Sequence, residues 1–259
     1  MVVAVRRNVA GLVVVFVGAA IVQLAISNTY LRYVKPGMRW MLLAAGVILI
    51  LLAVADVLAD TRRKPAQQHD DGQHDDGQHD HEPHTGDDDG HGHHGLPRAA
   101  WLLLIPVFAL LVVDPPALGA DAAQRQSPVA AKPVAPKNQS WLADSAQSDK
   151  PVPLAVRDYA IWAVWEKDSM KGRNFQLTGF VTPGKNGSWY VSRIGLTCCV
   201  ADGTAFMVEA RGDQPAPAKN QWVTVTGEWA EPTKRQDGDV AAITITEVRQ
   251  VTPPTNQYE

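Results

Sequence analysis

Cysteine is nearly absent: Cys198 and Cys199, adjacent in a chain of 259 residues, are the only two. That excludes a disulfide-stapled scaffold and any zinc ribbon built on paired Cys-x-x-Cys arms. Histidine is missing from the whole chain except residues 69–94, which hold all 8. No Ser-His-Asp set, phosphate loop or His-Glu-x-x-His pattern occurs, so a non-enzyme is expected. A charge excess is lacking too. Lys and Arg total 24 against 27 Asp and Glu, for a net charge of −3, and residues 141–259 carry 12 basic and 14 acidic side chains. General nucleic-acid binding requires a basic surface, which this balance excludes.

Three apolar runs are present. The first extends from Val9 to Ile26, broken only by Gln23 and preceded by Arg6-Arg7. The second runs from Met38 to about Leu58, with Asp56 near its far end. The third, Ala99 to Val113, contains Pro106 and is followed by Asp114-Pro115-Pro116. A helix needs about 20 residues to cross the hydrocarbon core. The first two qualify, and Pro116 to Gly119 would extend the shorter third into the interface. The first run also resembles a signal peptide ending at Ala25-Ile26-Ser27. It exceeds the ~7–15 apolar residues of a signal core, and a second span follows closely, so a retained helical hairpin is the better reading. Gly11, Gly18 and Gly46 would permit close helix approach, and Gln23 could bond a neighbouring helix. Asp56 lies near the interface and reads equally as an interfacial residue or a transport residue.

With three spans the N-terminus shares a side with residues 61–98, and the C-terminal part lies opposite. Arg6, Arg7, Arg62, Arg63, Lys64 and Arg98 stand on the first side, against Arg32, Lys35, Arg39, Arg125 and Lys132 on the other. The positive-inside rule then puts the 61–98 loop in the cytoplasm of a plasma-membrane protein and the C-terminal domain outside. Without the third span the C-terminal part becomes cytoplasmic.

Residues 69–94 combine the 8 histidines with eight Asp and one Glu, without Lys, Arg or aromatic side chains. A segment of this composition cannot bury a core and is expected to be disordered. His69, His74, His79, His81, His84, His91, His93 and His94, with Asp70, Asp75 and Asp80, form a candidate metal-binding loop. Imidazole and carboxylate suit zinc first, with nickel, copper and cobalt also open. The plainer alternative is an acidic linker expanded by repeat slippage.

The C-terminal half reads as a small β domain behind a tether. Residues 119–153 are rich in Ala, Pro, Gln, Ser and Lys and read as extended. Leu154 to Ser169 has helical spacing, with Trp162 and Trp165 expected to anchor it. Strands are expected at 175–181, 188 to about 200 with a bend at Gly195, 204–210, 222–229 and 241–248, with a turn at Pro183 to Gly187. Gly179 and Gly227 end similar alternating segments, as glycines do where a barrel bends. The expected inner face is Leu177, Val181, Val223, Val225, Ile243 and Ile245. The overall class is therefore membrane-anchored α + β: a hairpin at 1–60, the loop at 61–98, a third span at 99–118, the linker, a small OB-like barrel at 154–252 with a preceding helix, and a tail at 253–259. A flatter two-layer sheet is the alternative. Trp189, Tyr190, Trp222 and Trp229 could stack on bases, but core packing is the commoner use of such residues.

Alternating strand geometry would send Cys198 and Cys199 to opposite faces, so both can meet one ion only if the chain leaves the strand there. An exposed thiol near Asp202 could be a metal ligand or a redox centre. Equally, one cysteine could be buried and its neighbour incidental. The layout of hairpin, polar loop, tether and domain resembles the YcgQ-like family of membrane permease subunits, as do Gly179-Phe-Val, Arg193-Ile-Gly-Leu-Thr-Cys-Cys-Val-Ala-Asp-Gly203 and Trp222-Val-Thr-Val-Thr-Gly227. The resemblance implies a bacterial envelope protein beside a separate multi-span permease, in some bacteria linked to zinc limitation. The leading expectation is a non-catalytic accessory subunit of a divalent-metal permease, in contact with lipid and with that permease. A membrane-tethered thiol redox or metallochaperone protein using Cys198 and Cys199, and a purely structural envelope protein, are the alternatives.

Overall fold

A computed structural model describes residues 2–62, 105, 108, 109, 116–130 and 150–259. Two compact units are distinguishable: Met1–Ile26 with Trp40–Pro115, and Ser27–Arg39 with Pro116–Glu259.

In the first unit, helix α1 spans Val2–Ile26 and helix α2 spans Arg39–Arg62. The segment Pro36–Ala59 is a helix of 24 residues, long and apolar enough to cross a membrane. Gly11–Ile26 is a shorter apolar stretch. The two helices meet glycine to glycine: a Cβ on Gly18 would stand 2.9 Å from the Gly46 carbonyl oxygen, and one on Gly46 would press on Val22. Trp40, Met41, Leu51 and Leu52 face outward, a pattern suited to an apolar surrounding rather than to water. Ile105, Phe108 and Ala109 of the expected third span are helical. The rest of residues 99–115 and the whole histidine-rich segment lie outside the described residues.

The second unit is a closed five-stranded barrel. Strand β1 is Val152–Leu154, followed by helix α4 at Val156–Trp165 and a short helix α5 at Lys167–Met170. Strands β2 (Asn174–Pro183), β3 (Trp189–Gly195), β4 (Thr204–Arg211), β5 (Trp222–Arg235) and β6 (Gly238–Gln250) follow. The order β2-β3-β4-β6-β5 closes because β5 pairs back onto β2. Contacts around the ring are antiparallel except β4 with β6, where Ala210 stands opposite Ile243 in a parallel ladder. The short β1 joins β2 in parallel outside the ring.

Alternation explains the core. Leu177, Val181, Val223, Val225, Ile243 and Ile245 are all buried, as their spacing predicts. Gly227 sits at a register shift in the β5–β6 ladder, where a Cβ would run into the Thr244 carbonyl. Only glycine allows that approach, and the strand bends there. Helix α4 covers one end of the core: the Tyr159 hydroxyl donates to the Ala242 carbonyl at 2.8 Å, and Trp229 Nε1 donates to Ala163 at 3.1 Å.

Four expectations need correction. The predicted helix over Leu154–Ser169 begins later and breaks at Glu166, whose backbone is not helical. Trp162 is buried, whereas Trp165 at the C-terminal end of the helix is 44% exposed, so the anchoring falls to Trp162. The strand expected over 188 to about 200 is β3, and it stops at Gly195. The described part of the linker is not an extended tether. Helix α3, Ala120–Gln124, packs on the barrel with Ala120 and Ala123 fully buried. Alanine side chains are small enough to let this backbone approach, and the Asn220 side-chain oxygen accepts from the Ala120 amide at 2.7 Å. Gln126 continues the strap, bonding the Gly203 carbonyl and the Ala205 amide.

Candidate functional site

The site forms where β3 runs out. Residues near the C-terminal end lie along β3: the Glu259 amide donates to Ile194, and the Leu196 amide donates to Glu259. Beyond Leu196 the chain abandons the sheet and turns around one carboxylate. Asp202 accepts the amides of Thr197 at 2.8 Å, Cys198 at 2.7 Å and Cys199 at 3.3 Å. A single 3-10 turn at Val200–Asp202 closes the loop. An Asp three to five residues after the amides it caps is a local interaction that needs no partner from afar.

A second set of bonds comes from residues 27–39. The Lys35 amide donates to the Cys198 carbonyl at 3.1 Å, and the Val200 amide donates to the Tyr33 carbonyl at 2.8 Å. Val34 and Cys199 form an isolated antiparallel bridge. The cysteine pair is thus held from both flanks, outside regular strand geometry. Its two sulfurs lie 3.6 Å apart as free thiols, with Cys198 exposed and Cys199 half-buried. Both sulfurs and an Asp202 oxygen fall within 4.8 Å of one another. Strand alternation would have separated the thiols, and the end of β3 at Gly195 is what brings them together.

Electrostatics follow from the same contacts. Hydrogen bonds from the Cys198 side chain and then from the Thr197 amide hold the Asp202 carboxyl down at about 2. In return, the Asp202 hydrogen bond, followed by that of Cys199, pushes the Cys198 thiol up to about 11. A redox nucleophile needs the thiolate, and this environment favours the protonated thiol.

Arg193, the first residue of the cysteine-bearing motif, has a structural task. Its guanidinium stacks 4.9 Å over the Trp222 ring, donates to the Tyr258 carbonyl and pairs with Glu259 at 3.4 Å. The Glu259 carboxylate in turn accepts the amides of Val156 and Arg157 at 3.0 and 2.9 Å, capping α4 from about a hundred residues away. Tyr258 and Glu259, together with Tyr33 to Lys35, were not legible as site residues, since no spacing in the sequence links them to the cysteines. Trp189, Tyr190 and Trp222 are buried in the barrel and offer no stacking platform. The eight histidines and Asp70, Asp75 and Asp80 lie outside the described residues. Among the described residues, Cys198, Cys199 and Asp202 form the group able to hold a metal ion.

These features define a class: a small closed β-barrel on a chain with apolar helices, carrying a paired-thiol turn at its rim. The chain belongs to the DUF1980 family. Its N-terminal domain matches residues 9–127 and its C-terminal domain matches residues 134–259, in agreement with the YcgQ-like resemblance of the motifs. Over 94 residues it is 29% identical to a Streptococcus mutans protein named "Putative two-component membrane permease complex subunit", a match covering 35% of each chain. The similarity thus spans about a third of that relative's length.

Proposed function

We propose that this chain is a non-catalytic accessory subunit of a multi-span permease in a bacterial plasma membrane. The observation that carries this reading is the similarity to a relative named as a permease complex subunit, within a family whose two domains together match most of the chain. The apolar helices would then contact lipid and the permease, and the barrel would sit on the complex as a recognition or capping module. The strand order, with its parallel β4–β6 pair, supports an OB-like barrel.

Connectivity supports three spans. Residues 27–39 lie between α1 and α2, yet they bond to the barrel through Tyr33 and Lys35. If both helices cross the membrane, that loop and the barrel share one side. The chain leaving α2 on the opposite side would then have to cross back before Pro116, which favours a third span within residues 99–115. The charge distribution favours a barrel outside the cytoplasm and a histidine-rich loop within it. There the loop would concentrate a divalent metal, zinc foremost, for the permease.

The test is purification of the tagged full-length chain from native membranes in mild detergent. Recovery of a multi-span protein in fixed ratio is the expected outcome, and a lone chain under several mild detergents refutes the subunit reading. Reporter fusions at residues 34, 80 and 259 check the topology: 34 and 259 should report one side and 80 the other.

A further inference from the structure

The turn that carries Cys198, Cys199 and Asp202 is more tightly held than a simple loop requires. Three amides bond to Asp202, and two backbone hydrogen bonds from Tyr33 and Lys35 fix the flanks of the pair. An Asp-capped turn accounts for Asp202 alone. It does not account for two free thiols, one exposed and one half-buried, held side by side at the same carboxylate.

We propose that Cys198, Cys199 and Asp202 form a binding site for a borderline-soft divalent cation of the zinc class, separate from the histidine-rich loop. The sulfurs stand 3.6 Å apart. Metal–sulfur bonds of about 2.3 Å in a tetrahedron place two sulfurs about 3.8 Å apart, so little movement is needed. A carboxylate offers about four lone-pair positions. Three of those on Asp202 accept amides, and the remaining one meets the Cys198 thiol. The cation takes the place of that thiol proton between sulfur and carboxylate. Both thiols release their protons to solvent, no electrons move, and no oxidant is involved. Two sulfurs and one oxygen select zinc-like ions over magnesium or calcium, which prefer all-oxygen sites. Three protein ligands leave a fourth position for water or for a donor from a partner, the arrangement of an exchangeable site rather than a closed structural one. The ion would lie beside the Tyr33–Lys35 segment that bonds to the turn.

Cobalt(II) titration of the reduced full-length protein in detergent tests the site. Thiolate ligation produces a sulfur-to-cobalt charge-transfer band that the sulfur-free histidine-rich loop cannot produce. The expected result is a band saturating at one ion per chain and displaced by zinc. Cys198→Ser and Cys199→Ser should each abolish it, and Asp202→Asn should weaken binding about 10–100-fold. Absence of the band at saturating cobalt, or a band unchanged in both serine variants, overturns the proposal even if cobalt binds elsewhere on the chain. Should a variant fail to fold, the native protein still decides. Bound zinc should protect both cysteines from maleimide alkylation, and equal labelling with and without zinc refutes the site.

Discussion

The hydroxyl of Tyr258 donates to the carbonyl of Arg32 at 3.0 Å. The same oxygen accepts the amide of Leu118 at 2.8 Å. One buried side chain near the C-terminal end therefore ties together the residues that follow α1 and the residues that precede α3. These three stretches are far apart in sequence and meet at one oxygen on the C-terminal unit.

Tyr258→Phe removes that oxygen and leaves an amide and a carbonyl without it. The expected cost is about 1–3 kcal/mol, read as a lower denaturation midpoint. Limited proteolysis should also speed up at residues 27–39. Unchanged cleavage there would show that the bond does not hold the loop.

Glu259 caps α4 and pairs with Arg193. Glu259→Ala strips two charge-assisted bonds from the helix start and leaves a largely buried guanidinium without its carboxylate. A loss of about 1.5–3 kcal/mol is expected in chemical denaturation.

The same carboxyl gives a pH signature. Burial pushes Glu259 above its ordinary range, against the Arg157 amide and the Arg193 charge, which pull it down. A folded-state pKa above the unfolded one means that the native protein holds the proton more tightly. Its contribution to stability is complete below about pH 4.3 and is lost as pH rises through the raised value. Denaturation midpoints measured across that window should fall with pH in the native chain and be flatter in Glu259→Gln.

Alkylation of Cys198 by iodoacetamide should be slow at neutral pH and rise about tenfold per pH unit until its pKa of about 11 is approached. Asp202→Asn removes the charged acceptor, lowers that pKa and speeds the reaction at neutral pH. Site-resolved mass spectrometry reads both, and an Asp202→Asn rate no faster than native would refute the electrostatic account.

Gly227→Ala places a methyl group against the Thr244 carbonyl inside the β5–β6 ladder. Strand bending has to change to admit it. A destabilisation of about 1–3 kcal/mol is expected in thermal melts of the full chain.

Much of the barrel was legible because its causes are local. Period-two alternation put Leu177, Val181, Val223, Val225, Ile243 and Ile245 inside, and Gly227 marked a bend. The strand boundary at Gly195 was less legible. Residues 196–200 have strand-like composition, but the hydrogen bonds that override it come from Asp202, from Tyr33 and Lys35, and from Glu259. The linker was misread for a similar reason. Alanine and proline suggest an extended chain, while the burial of Ala120 and Ala123 depends on a surface that exists only once the barrel has closed.

The division between the two levels is physical. Composition and spacing alone determined the apolar helices, the confinement of histidine to one segment, the curved β domain and the motif that marks the family, since each depends on residues close together in the chain. Tertiary structure decided that two adjacent thiols share one side with Asp202, that the residues between α1 and α2 join the barrel, and that Arg193 serves the fold. Those outcomes depend on hydrogen bonds between segments up to 226 residues apart, the separation of Arg32 and Tyr258, which no local pattern encodes.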